Sequence, residues 1–208
     1  MIKGIDVSAW QGNIDWKQVA ADGIEFAIIK AGGSDAGKNG WYKDKQFMNN
    51  IIGAFSNGIH VGAYYFVGKN CTNADAGRID AQRFLYILQG LFLDYPVVLD
   101  FEAPTRDNKQ GNTDAVKAFC EEMEKNKYYV SIYASDISGF KERLYIDQLT
   151  AYDKWVARYG SDPKYVKQWG MWQYSSKGNL HGIKGFVDMD YSKQDYSKII
   201  PAAHLNGF

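Results

Sequence analysis

The stretch YPVVLDFEAP, residues Tyr95 to Pro104, is an apolar run that ends on two carboxylates spaced two residues apart, Asp100 and Glu102. Residues i and i+2 of a β-strand point to the same face of the sheet. Two acids side by side at the end of a buried strand repel each other and are poorly solvated, so the pattern indicates that the fold uses them. The alternative interpretation is that both are ordinary polar residues at a strand exit.

Short β-branched or aromatic runs alternate with longer helical patterns along the chain. Strands are predicted at Ile2–Ser8, Glu25–Lys30, His60–Phe66, Pro96–Phe101, Tyr128–Tyr133, Lys154–Arg158, Met171–Tyr174 and Gly185–Asp188. Helices are predicted at Asp15–Ala21, Lys43–Ser56, Asn73–Gln89 and Thr113–Lys125, with a short one near Ile146–Tyr152. This order predicts a parallel α/β barrel whose last three crossovers are loops. We expect one domain over residues 1–208, with the tail Pro201–Phe208 as a surface coil.

In such a barrel the carboxyl ends of the strands form the active-site face, which gives a short list of candidate residues. The list is Asp6, Lys30, Tyr64, Phe66, Asp100, Glu102, Tyr133, Trp172 and Asp188. Its four acids come from strands one, four and eight, which converge only around a closed barrel. Each acid alone is explained by a turn or a helix cap, but together they favour acid/base chemistry. We expect no cofactor and no metal, with Mg²⁺ or Ca²⁺ binding as the alternative use of the carboxylates.

Composition excludes several classes of function. The chain has 24 basic and 24 acidic residues, and this balance gives no electrostatic signature for nucleic acid or an anionic membrane. We expect no signal peptide, because Gly4 and Asp6 precede any apolar stretch of that length, and no apolar run is long enough to predict a membrane span. The 6 Trp and 15 Tyr favour a carbohydrate ligand slightly, because their rings stack on sugars. Cys71 and Cys120 lack metal-type spacing and are expected in separate helices, without a disulfide.

Six motifs taken together carry a family resemblance. They are Asp6-Val7-Ser8-Ala9-Trp10-Gln11-Gly12, Gly62-Ala63-Tyr64-Tyr65-Phe66, Asp100-Phe101-Glu102, Trp155-Val156-Ala157-Arg158-Tyr159, Trp172-Gln173-Tyr174-Ser175-Ser176 and Val187-Asp188-Met189-Asp190. In this order, from about Ile2 to about Tyr196, the chain resembles glycoside hydrolase family 25, the Chalaropsis-type lysozymes found in phage endolysins and bacterial autolysins.

The resemblance implies an irregular, flattened TIM-like (β/α)5(β)3 barrel that hydrolyses the β-1,4 bond between N-acetylmuramic acid and N-acetylglucosamine in peptidoglycan. By the same resemblance, Glu102 is the general acid and Asp100, Asp6 and Asp188 are the active-site aspartates. The residues expected to bind the sugar chain are Lys30, Tyr64, Phe66, Tyr133, Trp172 and Asp190. Two positions depart from the family pattern: Tyr65 stands where many members have His, and Asp190 where many have Asn.

The resemblance leaves alternatives open. An aspartate acts directly on the sugar cation, activates water, or holds the substrate's N-acetyl group as nucleophile. A glycan-binding barrel without turnover and a chitin-cleaving enzyme are the alternative functions. A protein of this kind is expected to be made in the cytoplasm and to act on the cell wall after release. Its expected partner is the glycan strand of peptidoglycan, with a separate cell-wall-binding module beyond residue 208 as a further possibility.

Overall fold

The computed structural model describes all 208 residues, and its centre is a closed barrel of eight strands with one further short strand at the rim. The strands are β1 (Ile2–Val7), β2 (Phe26–Ser34), β3 (Trp41–Lys43), β4 (His60–Phe66), β5 (Val97–Asp100), β6 (Val130–Ser135), β7 (Asp153–Ala157), β8 (Met171–Gly178) and β9 (Val187–Ser192). The order around the barrel is β1-β9-β8-β7-β6-β5-β4-β2, and pairing of β1 with β2 closes it. The predicted barrel is confirmed. Strand β3, which sequence analysis did not predict, pairs with the end of β2.

The last strand of the barrel runs in the opposite direction from the others. Strand β9 is antiparallel to both of its neighbours, β1 and β8, and it begins at Val187. The prediction of a parallel strand ending at Asp188 is therefore wrong in direction and in bounds. The segment between β8 and β9, residues 179–186, contains no helix, and an antiparallel return needs none, whereas a parallel crossover of this length is rare.

Five α-helices surround the strands: α1 (Trp16–Ala21), α2 (Phe47–Ser56), α3 (Ala74–Leu88), α4 (Lys109–Lys125) and α5 (Tyr196–Ala202). Side chains cap the starts of three of them, because Asp15, Asn73 and Asn108 each accept a hydrogen bond from a backbone N–H of the first turn. Between β6 and β7 the chain forms a six-residue π-helical segment, Asp136–Lys141, and a 3₁₀ turn at Ile146–Leu149. The short helix predicted near Ile146 is thus a tighter turn.

Two apolar layers follow from the alternation of side chains along the strands. On β2, Phe26 and Ile28 point into the barrel, whereas Ala27 and Ile29 pack in the layer between strands and helices. Apolar side chains fill the interior of the barrel up to the face where the parallel strands end.

The C-terminal segment closes the opposite end of the barrel. Tyr196 of α5 is fully buried and donates a hydrogen bond to Asp153. Asn206 is also fully buried, and its Nδ2 donates to the carbonyl oxygens of Leu93 (3.0 Å) and Tyr95 (2.9 Å). The expected surface coil over residues 201–208 is correct only in part: five of these residues are exposed, but Pro201 and Ala202 belong to α5, and the Asn206 amide satisfies several backbone groups and ties the tail down.

Both cysteines are buried and free. Cys120 lies in α4, whereas Cys71 lies in the turn before α3 and not in a helix as expected. Among the helices, none combines the length and the apolar character needed to cross a lipid bilayer.

Candidate active site

Asp100 and Glu102 sit where β5 leaves the barrel. Asp100 is the last residue of the strand and pairs with Phe66 on β4 and Tyr133 on β6. Phe101 between the two acids is fully buried in the layer outside the barrel, so both carboxyl groups line the same cleft. Asp100 is buried and its Oδ1 has no hydrogen-bond partner, whereas Glu102 is exposed at the rim.

Asp6 and Asp188 bring two more carboxyl groups to the cleft from neighbouring strands. They are a directly opposed pair of the antiparallel β1–β9 ladder. Asp6 is buried near the end of β1, and Asp188 is half-buried at the start of β9. The antiparallel direction of β9 is what places Asp188 here, since the amino end of this strand lies at the active-site face.

The four acids line one cavity of about 190 Å³. Its lining consists of Asp6, Tyr64, Asp100, Glu102, Tyr133, Trp155, Tyr159, Gln173 and Asp188. The indole of Trp155 packs against the rings of Tyr133 and Tyr64, at centroid distances of 4.5 and 6.3 Å. The cavity therefore has acidic groups set among aromatic walls.

Gln173 connects three of these side chains. Its Nε2 donates to Oδ2 of Asp6 at 2.8 Å, and its Oε1 accepts hydrogen bonds from the hydroxyl groups of Tyr133 and Tyr159, each at 2.9 Å. Sequence analysis did not select Gln173 because it lies inside β8 and is neither charged nor at a strand end. The only available signal was its place in the Trp172–Ser176 motif.

The position of Tyr159 depends on a buried carboxylate behind the cleft. Asp136 accepts hydrogen bonds from the backbone N–H groups of Lys164, Tyr165 and Val166, at 2.8 to 3.2 Å, and pairs with Arg158 at 3.0 Å. Burial alone would raise the pKa of Asp136, but these donors outweigh it and lower the pKa. The carboxylate thus anchors the loop that follows β7.

Lys30 stands beside the cleft with its ammonium group over the rings of Phe66 (4.8 Å) and Tyr64 (5.5 Å). It also lines a neighbouring cavity of about 420 Å³, together with Trp10 and Tyr42. Trp10 is 91% exposed and offers an open indole face at this cavity. Phe66 contacts Lys30 and lines neither cavity.

A further cavity of about 400 Å³ adjoins the cleft on another side and shares Glu102, Tyr133 and Tyr159 with it. Its other lining residues include Arg143 and Arg158. The cleft is therefore continuous with a longer groove on this side, and Glu102 lies at the junction of the two cavities. Arg143 was not a sequence candidate, because it lies in a connecting loop without a motif.

Only Tyr64 and Tyr133 of the six predicted sugar-binding residues line the cleft itself; Lys30 and Phe66 lie beside it, and Trp172 and Asp190 are not brought to it. Trp172 lies on the outer side of β8, packed against Trp169, Tyr174 and Tyr191, and its Nε1 donates to the carbonyl oxygen of Arg158 at 2.7 Å. Since Gln173 points inward, its neighbour in the strand must point outward. Asp190 points inward but is fully buried and does not line the cavity.

Tyr65 also lies away from the cleft. It is fully buried between β4 and α3, where its ring is 5.6 Å from that of Phe84. The departure from the family pattern at this position therefore concerns the packing of a helix on the barrel and not the wall of the groove.

Burial raises the pKa of every carboxyl group in the cleft. For Asp6, burial and the charge of Asp188 raise the pKa to about 8. For Asp100, burial and the charge of Glu102 hold the pKa well above its ordinary value. Desolvation of its carboxyl group raises the pKa of Glu102, although the residue stands at the rim. The positive charges of Lys30 and Arg143 partly offset this rise. The repulsion within the pair thus acts mainly on Asp100, the more deeply buried partner.

No group of three or more His, Cys, Asp or Glu side chains is arranged to hold a metal ion. The arrangement provides carboxyl groups of different burial, two of them reachable from the groove. Such a set can donate and accept protons and can stabilise positive charge on a bound molecule.

Comparison with known proteins gives consistent matches over nearly the whole chain. The family model described as "Glycosyl hydrolases family 25" matches residues 5–183. Lysozyme M1 of Streptomyces globisporus is 30% identical, with 98% of this chain and 71% of that protein covered. The crystal structure of the CTP1L endolysin is 30% identical with a TM-score of 0.83, covering 97% of this chain and 70% of that one. A family 25 glycosyl hydrolase from Bacillus anthracis is 26% identical with a TM-score of 0.79, covering 97% and 93%.

Proposed function

This chain belongs to glycosyl hydrolases family 25, and on that premise we propose that it is a muramidase, which hydrolyses the β-1,4 bond between N-acetylmuramic acid and N-acetylglucosamine in bacterial peptidoglycan. Its similarity to a lysozyme and an endolysin supports this substrate. The observation that carries the proposal is the convergence of Asp6, Asp100, Glu102 and Asp188 on one cleft within a longer groove.

The shape of the groove fits a polymer better than a small molecule. The cavities beside Lys30 and beside Arg143 extend the cleft, so a chain of sugars lying along them presents an internal bond to the carboxyl groups. The exposed indole of Trp10 offers a stacking face for one ring. The ammonium and guanidinium groups along the groove suit an anionic glycan such as peptidoglycan.

Glu102 is our choice for the general acid. It lines both the cleft and the adjoining cavity, so it can reach an oxygen that joins two sugars. Its pKa is already raised by burial, and a bound glycan that displaces water raises it further, which keeps the proton available. The proton moves from the Glu102 carboxyl group to the leaving oxygen as the glycosidic bond breaks.

Asp188 is the second carboxyl group that a substrate can reach. It is half-buried, and the charge of Glu102 contributes to raising its pKa, which indicates that the two groups lie close together. We assign it to positive charge on the sugar or to the orientation of the N-acetyl group. Asp6 lies deeper, held by Gln173, and supports Asp188 from behind. Asp100 sits under Glu102, and burial together with the charge of Glu102 holds its pKa well above the ordinary value.

The site of action follows from the substrate. We infer that the enzyme is made in the cytoplasm, acts on the cell wall after release, and works with a cell-wall-binding module. The modular length of relatives supports this inference, since the matched region covers 70% of the CTP1L endolysin.

Product analysis tests the function. Purified peptidoglycan should be solubilised, and the new reducing ends should be N-acetylmuramic acid, identified by borohydride reduction and sugar analysis. Chitin, which lacks muramic acid, is the matched control substrate and should be cleaved far more slowly. New reducing ends on glucosamine, or equal cleavage of chitin, would contradict the proposed bond specificity.

A further inference from the structure

Asp190 is a buried carboxyl group that does not line the cleft and so has no part in the reaction described above. We propose that Asp190 is a positioning residue: it keeps its own proton, donates it in a hydrogen bond to Asp6, and thereby holds the Asp6 carboxyl group in one orientation behind Asp188. The link to turnover rests on the proposed function, whereas the location of the proton does not.

The two carboxyl oxygens of Asp190 have different surroundings. Oδ1 accepts a hydrogen bond from Nε1 of Trp155 at 2.8 Å. Oδ2 has no donor among the protein groups around it, although the side chain is fully buried. On β9, Asp190 lies two residues from Asp188, the partner of Asp6 across the β1–β9 ladder, so the side chains of Asp190 and Asp6 lie on the same face of the sheet as diagonal neighbours.

Asp6 also accepts a hydrogen bond from Gln173. Its Oδ2 accepts from Nε2 of Gln173 at 2.8 Å. A carboxyl group at Asp190 that carries a proton would complete a chain of donors running from Trp155 through Asp190 to Asp6. If both acids were ionised, two anions would touch in a buried site, which is strongly unfavourable.

The neighbouring charges do not offer another way to neutralise Asp190. It pairs in register with Gly4 on β1 and Gln173 on β8, neither of which is charged. The ionisable groups that interact with it are Asp6, Asp188 and Tyr174, and none of them supplies a positive charge. Its two carboxylate neighbours therefore both favour retention of the proton.

The charges and hydrogen-bond donors around Asp190 and Asp6 indicate which of the two acids keeps the proton. Burial and the nearby charge of Asp6 hold the pKa of Asp190 well above its ordinary value. The pKa of Asp6 is raised to about 8, and the hydrogen bonds from Gln173 and Asp190 act to lower it. Asp6 already accepts a hydrogen bond from Gln173, whereas Oδ2 of Asp190 is buried without a donor, so we assign the proton of the pair to Asp190.

Infrared spectroscopy locates this proton without any need for turnover. At about pH 9, where exposed carboxyl groups and most of Asp6 are ionised, the protein should still show the carbonyl band of protonated carboxylic acids. We expect Asp190→Asn to remove part of this band and Asp100→Asn to remove another part. The band that remains in the Asp100→Asn protein tests Asp190 even if the Asp190 variant fails to fold. Absence of that band, or a spectrum unchanged by Asp190→Asn, would overturn the proposal.

A pair of substitutions then tests positioning. Asparagine at 190 can still accept from Trp155 and donate to Asp6, whereas leucine of similar size can do neither. Asp190→Asn should therefore keep turnover within about threefold of the wild type, and Asp190→Leu should lose about ten- to a hundredfold, the effect of leaving buried polar groups of Trp155 and Asp6 without their partner. Asp190→Leu should also move the ionisation of Asp6, read from the pH profile, to higher pH. Equal losses in both variants, or an unshifted profile, would show that Asp190 only packs the barrel.

Discussion

At the scale of single residues, the cleft works by giving similar carboxyl groups different surroundings. Asp100 is buried without a hydrogen-bond partner on Oδ1, Asp6 is held by Gln173, and Glu102 stands exposed at the rim under the influence of two cations. In our proposal, the surroundings of each acid and not its residue type separate the acid that donates to substrate from the acids that support it.

Lys30 provides a test of this electrostatic tuning. Its positive charge lowers the pKa of both Asp100 and Glu102. Lys30→Met should therefore raise the pKa of Glu102. Because the general acid works in its protonated form, activity that falls with rising pH should then fall at a higher pH than in the wild type.

The measurement is the pH profile of kcat/KM on peptidoglycan for the two proteins. Lys38→Met, which removes a charge from an exposed turn away from the cleft, is the matched control. A descending limb that moves to lower pH in Lys30→Met, or one that moves equally in the control, would contradict the tuning.

Sequence reasoning found the acids of the cleft because charge at a strand end is a visible signal. The residues that position those acids carry no such signal in the sequence. Gln173 is a neutral residue inside a strand, and Asp136 looks like any loop aspartate until the loop at residues 164–166 folds back onto it. Trp172 was selected for its position in a motif, and only the alternation of β8 shows that it faces outward.

At the scale of elements, the segment after β7 shapes one wall of the groove. Asp136 collects three backbone N–H groups and the side chain of Arg158, which fixes the loop carrying Tyr159. The hydroxyl group of Tyr159 then meets Gln173. A single carboxylate outside the cleft thus controls the shape of the wall inside it.

Replacing this anchor should loosen the wall and lower stability. Asp136→Asn removes the charge from a buried acceptor of several hydrogen bonds, so the free energy of unfolding should fall by about 2 kcal/mol near neutral pH. Because the pKa of Asp136 is lowered in the fold, this contribution is present above about pH 4 and is lost as pH falls through the folded-state pKa.

Denaturant unfolding of wild type and Asp136→Asn near pH 7 and near pH 3 measures the effect. Asp162→Asn, an exposed acid of the same loop, is the control and should change stability by less than about 0.5 kcal/mol. The anchor would lose its role if Asp136→Asn were as stable as this control near neutral pH.

The elements also show where local patterns stop being informative. The eight barrel strands were visible as apolar runs, but the direction of β9 is set by its pairing with β1 and β8 and leaves no trace in its own sequence. Strand β3 has three residues and depends on the end of β2 for its partner. Helix α5, which contains Pro201, was not predicted, although Tyr196 and Ile200 bury it against the barrel.

At the scale of the whole molecule, the buried carboxyl groups of the active-site face lower the stability of the barrel. Carboxyl groups whose pKa is raised in the fold bind more protons in the native than in the unfolded chain. Such groups lower stability as pH rises above about 4, the range in which the unfolded chain releases these protons. The contribution of these carboxyl groups should therefore make the free energy of unfolding larger in mild acid than in mild alkali.

Asp100→Asn measures how much stability the ionisable carboxyl group of Asp100 removes. Asparagine has nearly the same shape but no proton to take up, so Tm at about pH 8 should rise by at least about 2 °C, the shift expected from about 1 kcal/mol in a domain of this size. At about pH 3 most of this advantage should disappear, because aspartic acid then carries its proton in most molecules of both states. Thermal unfolding of the two proteins at these pH values is the measurement. A variant less stable than the wild type at both pH values would show that the Asp100 carboxyl group stabilises the barrel.

The central claim is that Glu102 supplies the proton that breaks the glycosidic bond, and Glu102→Gln tests it most directly. Glutamine keeps the size and hydrogen bonding of the side chain but carries no transferable proton. Turnover on peptidoglycan should fall by about 10²- to 10⁴-fold, with glycan binding and Tm nearly unchanged. Glu121→Gln on the exposed side of α4 is the matched control and should turn over at the wild-type rate. Near wild-type turnover by Glu102→Gln would contradict the account and assign the proton to another acid of the cleft.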